Sequence, residues 1–148
     1  MKIILQRVKN ASVTINNLLF NKINSGFLVL IGIKSTDNEQ DVDYLVKKLI
    51  NLRVFSDKND KMNLSIKDIN GELLIISQFT LYGNCEKGNR PSFIDAAKPE
   101  IAIPLYDLFI QKCKSEIPIV KTGKFGADMQ VNLINDGPVT IIIDSKKK

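Results

Sequence analysis

The chain has 148 residues, 44% of them hydrophobic and 25% charged, with a mean hydropathy of -0.02, a formal net charge of +5 and a pI near 9.2. These values suit one domain over residues 1–148 and argue against a disordered or membrane-embedded chain. The longest apolar runs, such as Leu73 to Ile76 and Val139 to Ile143, fall far short of the roughly 18 residues that span a bilayer.

The opening Met1-Lys2-Ile3-Ile4-Leu5-Gln6-Arg7 meets charge at once and lacks a small-residue cleavage site, so it does not read as a signal peptide and the expected location is cytoplasmic. Ile3, Leu5 and Val8, then Val13 and Ile15, alternate as strands do, and Asn16-Asn17 supplies a turn before Leu18 to Ile23. Gly26 to Ile33 is a fuller apolar run that reads as a buried strand. Thr36 and Glu39 have capping-box spacing, and Val42, Leu45, Val46 and Leu49 recur at helical intervals, which predicts a helix from about Asn38 to Leu52.

Asp57 to Lys61 is a polar loop. Asn70-Gly71 predicts a hairpin turn ahead of a second apolar strand, Glu72 to Leu81, that should be central in the sheet. That strand runs into Tyr82 to Pro91, a glycine-bearing polar loop of the kind that carries function on a rigid scaffold. Leu105, Leu108, Phe109 and Cys113 form the apolar face of a second helix, expected to begin or kink near Pro104, with Lys112 and Lys114 at its C-terminal end. Strands follow at Ile119 to Thr122, Met129 to Leu133 and Val139 to Ile143, the last two separated by Asn135-Asp136-Gly137-Pro138. Lys146-Lys147-Lys148 reads as a frayed, solvated tail. The sum is an α+β fold, a curved and largely antiparallel sheet or partial β-barrel carrying two main helices.

Chemistry is constrained by what is missing. There is no histidine, which excludes Ser/His/Asp and Cys/His arrangements and the usual imidazole metal site. Cys85 and Cys113 are too few and too isolated for a disulfide framework or a zinc site, and read as two reduced thiols. No metal or cofactor is expected. The excess of basic residues favours a polyanionic partner without identifying one. Two places stand out. At Ser77-Gln78-Phe79-Thr80, polar side chains end a hydrophobic strand; they need internal partners, an exposed face or a ligand, and Thr80 also fits as a β former with Ser77 facing solvent. Gly137-Pro138, taken alone, reads first as an ordinary turn.

Taken together, the two segments narrow the reading. Ser77 to Gly83 and Asn135 to Thr140, with Gln6-Arg7-Val8, Lys87 to Pro91 and Thr122 to Met129 in the same order, resemble the motifs of the D-aminoacyl-tRNA deacylase family over nearly the whole chain. The resemblance implies a homodimer whose active sites lie at the subunit interface and hold the 3′-terminal adenosine of a charged tRNA. Carried onto this sequence, the catalytic pocket is lined by Ser77, Gln78, Phe79 and Thr80. Gly137-Pro138 enters from the opposite subunit with a cis peptide bond, and Arg7 fixes its orientation. Ala102 matches a small residue that leaves room for adenine, although from the sequence alone it is simply a helix-face alanine. The implied reaction is hydrolysis of D-aminoacyl-tRNA, with L-amino acids rejected, glycyl-tRNA also cleaved, and the RNA's own 2′-hydroxyl assisting. Two rival readings stand beside it, a nucleotide- or RNA-binding module without catalysis and a purely structural dimer.

Overall fold

The computed structural model describes residues 1–146. The elements in chain order are β1 (Lys2–Ile15), β2 (Leu18–Ile23), β3 (Gly26–Gly32), α1 (Glu39–Asn51), β4 (Phe55–Ser56), β5 (Met62–Leu64), β6 (Glu72–Ser77), a 3₁₀ turn (Phe79–Tyr82), α2 (Pro99–Lys114), β7 (Val120–Thr122) and β8 (Gln130–Asp144). Asn16 and Asn17, both with positive φ (50° and 62°), form the two-residue turn that pairs Ile15 with Leu18. This is the conformation Asn tolerates better than most residues.

β1 is the spine of the sheet. It pairs antiparallel with β8 along one edge, from Lys2↔Asp144 to Thr14↔Gln130. Its other edge pairs antiparallel with β3 and then β2, from Lys2↔Gly32 to Ile15↔Leu18. β3 pairs parallel with β6, and β6 parallel with β7. The sheet is therefore mixed, because α1 and α2 serve as crossover connections, β3 to β6 and β6 to β7, a role that helical periodicity does not reveal. Gly26 opens β3 with φ 157°, and a Cβ there would lie 1.9 Å from the Glu72 carbonyl oxygen, so glycine permits the close start of the parallel pair. The sheet curls until Asn21 on β2 donates to the Thr122 carbonyl on β7 at 2.7 Å, which nearly closes a barrel.

Two apolar cores follow from that curl. Phe27, Val29 and Ile31 of β3 and Leu73 and Ile75 of β6 face the helices, where they meet Val42, Leu45, Leu49, Tyr106 and Phe109. Leu28, Leu74 and Ile76 point the other way, into the curled sheet, against Val8, Ala11, Val13 and Ile23. Strands buried on both faces read as unbroken apolar runs, which is why β3 and β6 were legible.

Several details depart from the sequence reading. The N-cap of α1 is Asn38, not Thr36, and the reciprocal partner is Asp41, not Glu39. Asn70-Gly71 turns the chain but joins no paired strands, since the hairpin of that region is β4–β5 across Asp57 to Lys61. The strand expected to reach Leu81 stops at Ser77. Pro104 neither starts nor ends α2; the helix begins at Pro99, a position that needs no donor, and the Pro104 ring sits within it. The donor that Pro104 lacks would have served Glu100, which is exposed and can be met by water. Lys112 reaches across to Glu39 at 3.0 Å and to Asp43, tying α2 to α1.

The chain end is also anchored up to its last described residue. Lys146 binds the Asp41 carboxylate at 2.8 Å, and Ser145 exchanges hydrogen bonds with Met1, whose ammonium also meets Asp37 in a buried pair. Lys146 is thus not part of a frayed tail; Lys147 and Lys148 lie outside the described residues. Burial would raise the Asp41 carboxyl, but hydrogen bonds from Lys146, Ser145 and the Asn38 backbone outweigh it and hold it at about 2.

Candidate active site

A cavity of about 300 Å³ opens at the C-terminal end of β6. Ser77 is the last residue of β6 and pairs with Ile31; the chain then leaves the sheet, with the Gln78 N–H donating to the Ile31 carbonyl at 2.8 Å. Phe79 to Tyr82 wind into a 3₁₀ turn whose first internal donors are Leu81, to Gln78, and Gly83, to Thr80. The N–H groups of Phe79 and Thr80 open the turn ahead of those donors, as at any helix start. Thr80 is therefore not a strand residue, and the alternative in which it serves as a β former does not describe it.

Ser77, Gln78 and Phe79 line the cavity. Ala102 of α2 and the segment Phe125 to Met129, which follows β7 and leads into β8, line it as well. Ile31, Ile33 and Ile76 form the apolar floor. Tyr106 fixes the distance between α2 and β6 by donating from its hydroxyl to the Ile75 carbonyl at 3.0 Å, and its ring lies 5.7 Å from that of Phe125. Phe79 is 57% exposed and packs edge-on against Phe93 at 5.1 Å, which joins the cavity rim to the loop after Tyr82. Thr80 is exposed just beyond the cavity wall, its hydroxyl accepting a short hydrogen bond from the Gln78 amide. Gln78 thereby leaves the Thr80 hydroxyl proton free to donate.

A second cluster surrounds Gly137-Pro138. Between Gln6↔Thr140 and Val8↔Asn135, Arg7 alone stands opposite the four residues Asp136 to Val139, so β8 is one strand interrupted by an outward loop rather than two strands joined by a turn. Asn135 closes the base of the loop, accepting from the Val139 N–H at 2.9 Å and donating to Thr140 at 3.1 Å. Arg7, 8% exposed, donates to the Asp136 carbonyl at 2.9 Å and to the Val54 carbonyl at 2.5 Å. Its guanidinium lies 3.4 Å from the Asp136 carboxylate. The Gly137-Pro138 bond is cis, and both residues are exposed. A Cβ on Gly137, whose φ is 134°, would sit 2.8 Å from Val139 and 3.0 Å from Arg7.

Within one chain the structure brings Ser77, Gln78, Phe79 and Ala102 to one cavity, with Thr80 at its edge. It gathers Arg7, Gly137 and Pro138 elsewhere, and neither Gly137 nor Pro138 lines the cavity. The sequence reading quoted Thr122 to Met129 as a motif without giving its residues a place in the site; their position follows only from the crossover that lays β7 beside β6. Burial pushes the Cys113 thiol up to about 12, which leaves it inert, while Cys85 is exposed. Among the described residues no group of three or more Cys, Asp or Glu could hold a metal ion, and no helix is long and apolar enough to cross a membrane.

The model of one family, "D-Tyr-tRNA(Tyr) deacylase", matches residues 4–144. The chain belongs to that family. Relatives named D-aminoacyl-tRNA deacylase include one from Finegoldia magna, 61% identical with 100% of both chains covered. Another, from Flavobacterium psychrophilum, is 59% identical, with 100% of this chain and 99% of the relative covered. Among solved structures, "c-Myc DNA Unwinding Element Binding Protein" is 41% identical with a TM-score of 0.92, covering 97% of this chain and 98% of the other. A "probable eukaryotic D-amino acid tRNA deacylase" shares the fold, with a TM-score of 0.83 at 17% identity, 96% of this chain and 97% of that one being covered. Family membership puts the 77–80 cavity and the Gly137-Pro138 loop on a fold that its relatives keep from end to end.

Proposed function

We propose that this protein hydrolyses the ester between a D-amino acid and the 3′-terminal adenosine of its tRNA, in a cavity that a second copy of the chain completes. As a member of the family it is an aminoacyl-tRNA ester hydrolase. The observation that carries the detailed reading is the meeting of Ser77, Gln78, Phe79 and Ala102 on one half-apolar cavity, while the exposed Gly137-Pro138 loop lies apart from it in the same chain. The apolar floor and the small Ala102 suit a purine. Exposed Ile134 and Ile142 on β8, flanking the Gly137-Pro138 loop, suit a self-complementary contact that carries the loop to a partner's cavity.

The chemistry asks little of the protein. An aminoacyl ester is already activated, so orienting it, supplying N–H donors from Phe79 and Thr80 to the developing oxyanion and admitting water lower the barrier without a strong base. No imidazole is present to make Thr80 a nucleophile. The adjacent 2′-hydroxyl of the ribose assists the attack, with Ser77, Gln78 and Thr80 as positioning groups. Gly137-Pro138 offers backbone instead of side chains, and its carbonyls occupy the space an L side chain needs. Selection is by rejection, so varied D-amino acids and glycine, which has no side chain to reject, are accepted. The test is release of free amino acid from D-tyrosyl-tRNA and from the same tRNA ending in 2′-deoxyadenosine. Turnover of the first with near-inertness of the second supports the reading; binding without turnover of either favours an RNA-binding module.

A further inference from the structure

The segment Lys87 to Pro91, which the sequence singles out and the catalytic cavity does not use, borders a second hollow of about 320 Å³. Lys87 and Arg90 line it with Tyr82, Glu86, Ser92 and Ile94. Gly88, whose φ of 90° suits a residue without a side chain, bends the chain between the two cations. The charges around the hollow are unequally engaged. Asp95 lies 3.5 Å from the Lys34 ammonium, and Glu86 accepts from the Asn84 amide at 3.4 Å. Lys2 adds a positive charge at the same edge, its ammonium 5.1 Å from the centre of the Tyr82 ring. Lys87 and Arg90 are exposed, and among the described residues neither has a hydrogen bond, ion pair or ring contact. Free cations of this kind, one of them a guanidinium fork, match phosphate oxygens.

The apolar surface leads to the same place. Phe93, between Ser92 and Ile94, packs on Phe79 at the rim of the catalytic cavity, and Ile94 is 91% exposed. An aromatic shelf therefore joins the two hollows, so a strand leaving the cavity across it meets Ile94 and the two cations. Apolar faces beside a cationic groove hold single-stranded RNA without reading its sequence. Resting on the proposed function, we infer that the 87–94 loop binds the single-stranded nucleotides that precede the terminal adenosine of the tRNA, with their phosphates at Lys87 and Arg90. These contacts lie beyond the reacting ester. They are the same in the bound substrate and in the transition state, so they act on KM and leave kcat alone.

The experiment compares the wild type with the double variant Lys87→Gln/Arg90→Gln on three substrates, 3′-O-D-tyrosyl-adenosine, D-tyrosyl-CpCpA and D-tyrosyl-tRNA. The wild type should show a KM roughly tenfold lower on the trinucleotide than on the adenosine ester, the worth of a charge-assisted contact. The double variant should raise KM by about that factor on the trinucleotide and on tRNA, keep kcat within about twofold, and match the wild type on the adenosine ester. On the trinucleotide, the fall of log kcat/KM with log salt should become shallower by roughly 0.7 for each cation removed. An unchanged thermal midpoint confirms that these exposed substitutions leave the fold intact. An equal loss on the adenosine ester would place the cations at the reacting end, and a loss confined to full tRNA would place them on the double-stranded stem. Either result overturns the inference, as does an unchanged KM on all three substrates, while the proposed function stands. A wild type that releases no tyrosine from D-tyrosyl-tRNA overturns both.

Discussion

Thr80 shows how a residue's neighbours decide its chemistry. Its hydroxyl accepts from Gln78 at the edge of the cavity, and the chain contains no histidine to take its proton. Thr80→Ala should therefore keep activity within about tenfold of the wild type, the scale expected for a lost positioning hydrogen bond. Abolition of activity, together with a trapped acyl-enzyme on the wild type, would show that Thr80 is a nucleophile. Asp41 carries a different expectation. Its folded pKa, about 2, lies below the 3.8 of an ordinary aspartate, so the stabilisation it provides is present above about pH 4 and is lost as pH falls through 2. Because Lys146 is half-exposed and screened by solvent, we expect only about 1 kcal/mol from this source. Asp41→Asn should flatten the unfolding free energy over that window, and an unchanged slope in urea titrations between pH 4 and 2 would contradict the account. Lys146 could not have been anticipated in this role, since a terminal run of lysines has no periodicity to reveal an acidic partner 105 positions away.

Elements built on local pattern were legible: the Asn16-Asn17 hairpin, α1, and the doubly buried β3 and β6 all follow from periodicity and turn chemistry. Those that depend on partners distant in sequence were not. That α1 and α2 are crossovers, and that β6–β7 pairing carries Phe125 to Met129 to the cavity, are consequences of topology. The loop at Asp136 to Val139 belongs to the same class, because its form depends on Arg7 from the opposite end of the chain. Ala102→Leu should fill the cavity from the α2 side and raise KM more than tenfold with a modest change in kcat, as uniform loss of binding requires. A KM within twofold of the wild type would show that substrate does not use that wall. At the loop, Gly137→Ala should collide with Val139 and Arg7 and impair a site in trans. Mixing Gly137→Ala subunits with subunits disabled by Ser77→Ala and Gln78→Ala should then regain activity, because one of the two sites in the mixed dimer draws both halves intact. No recovery on mixing would show that each chain works alone.

For the whole molecule, the family motifs made the activity legible, and the resemblance already implied that Gly137-Pro138 comes from the opposite subunit; the structure adds that within one chain this loop does not line the cavity. The net charge of +5 and the half-apolar cavity suit an RNA end, and binding without turnover is the alternative to exclude. The central proposal is that the 77–80 cavity hydrolyses D-aminoacyl esters while a backbone loop excludes the L form. Initial rates on D- and L-tyrosyl-tRNA prepared on the same tRNA test it most directly. We predict rapid release of D-tyrosine with the L ester surviving at its spontaneous rate; equal cleavage of the two esters would contradict the account.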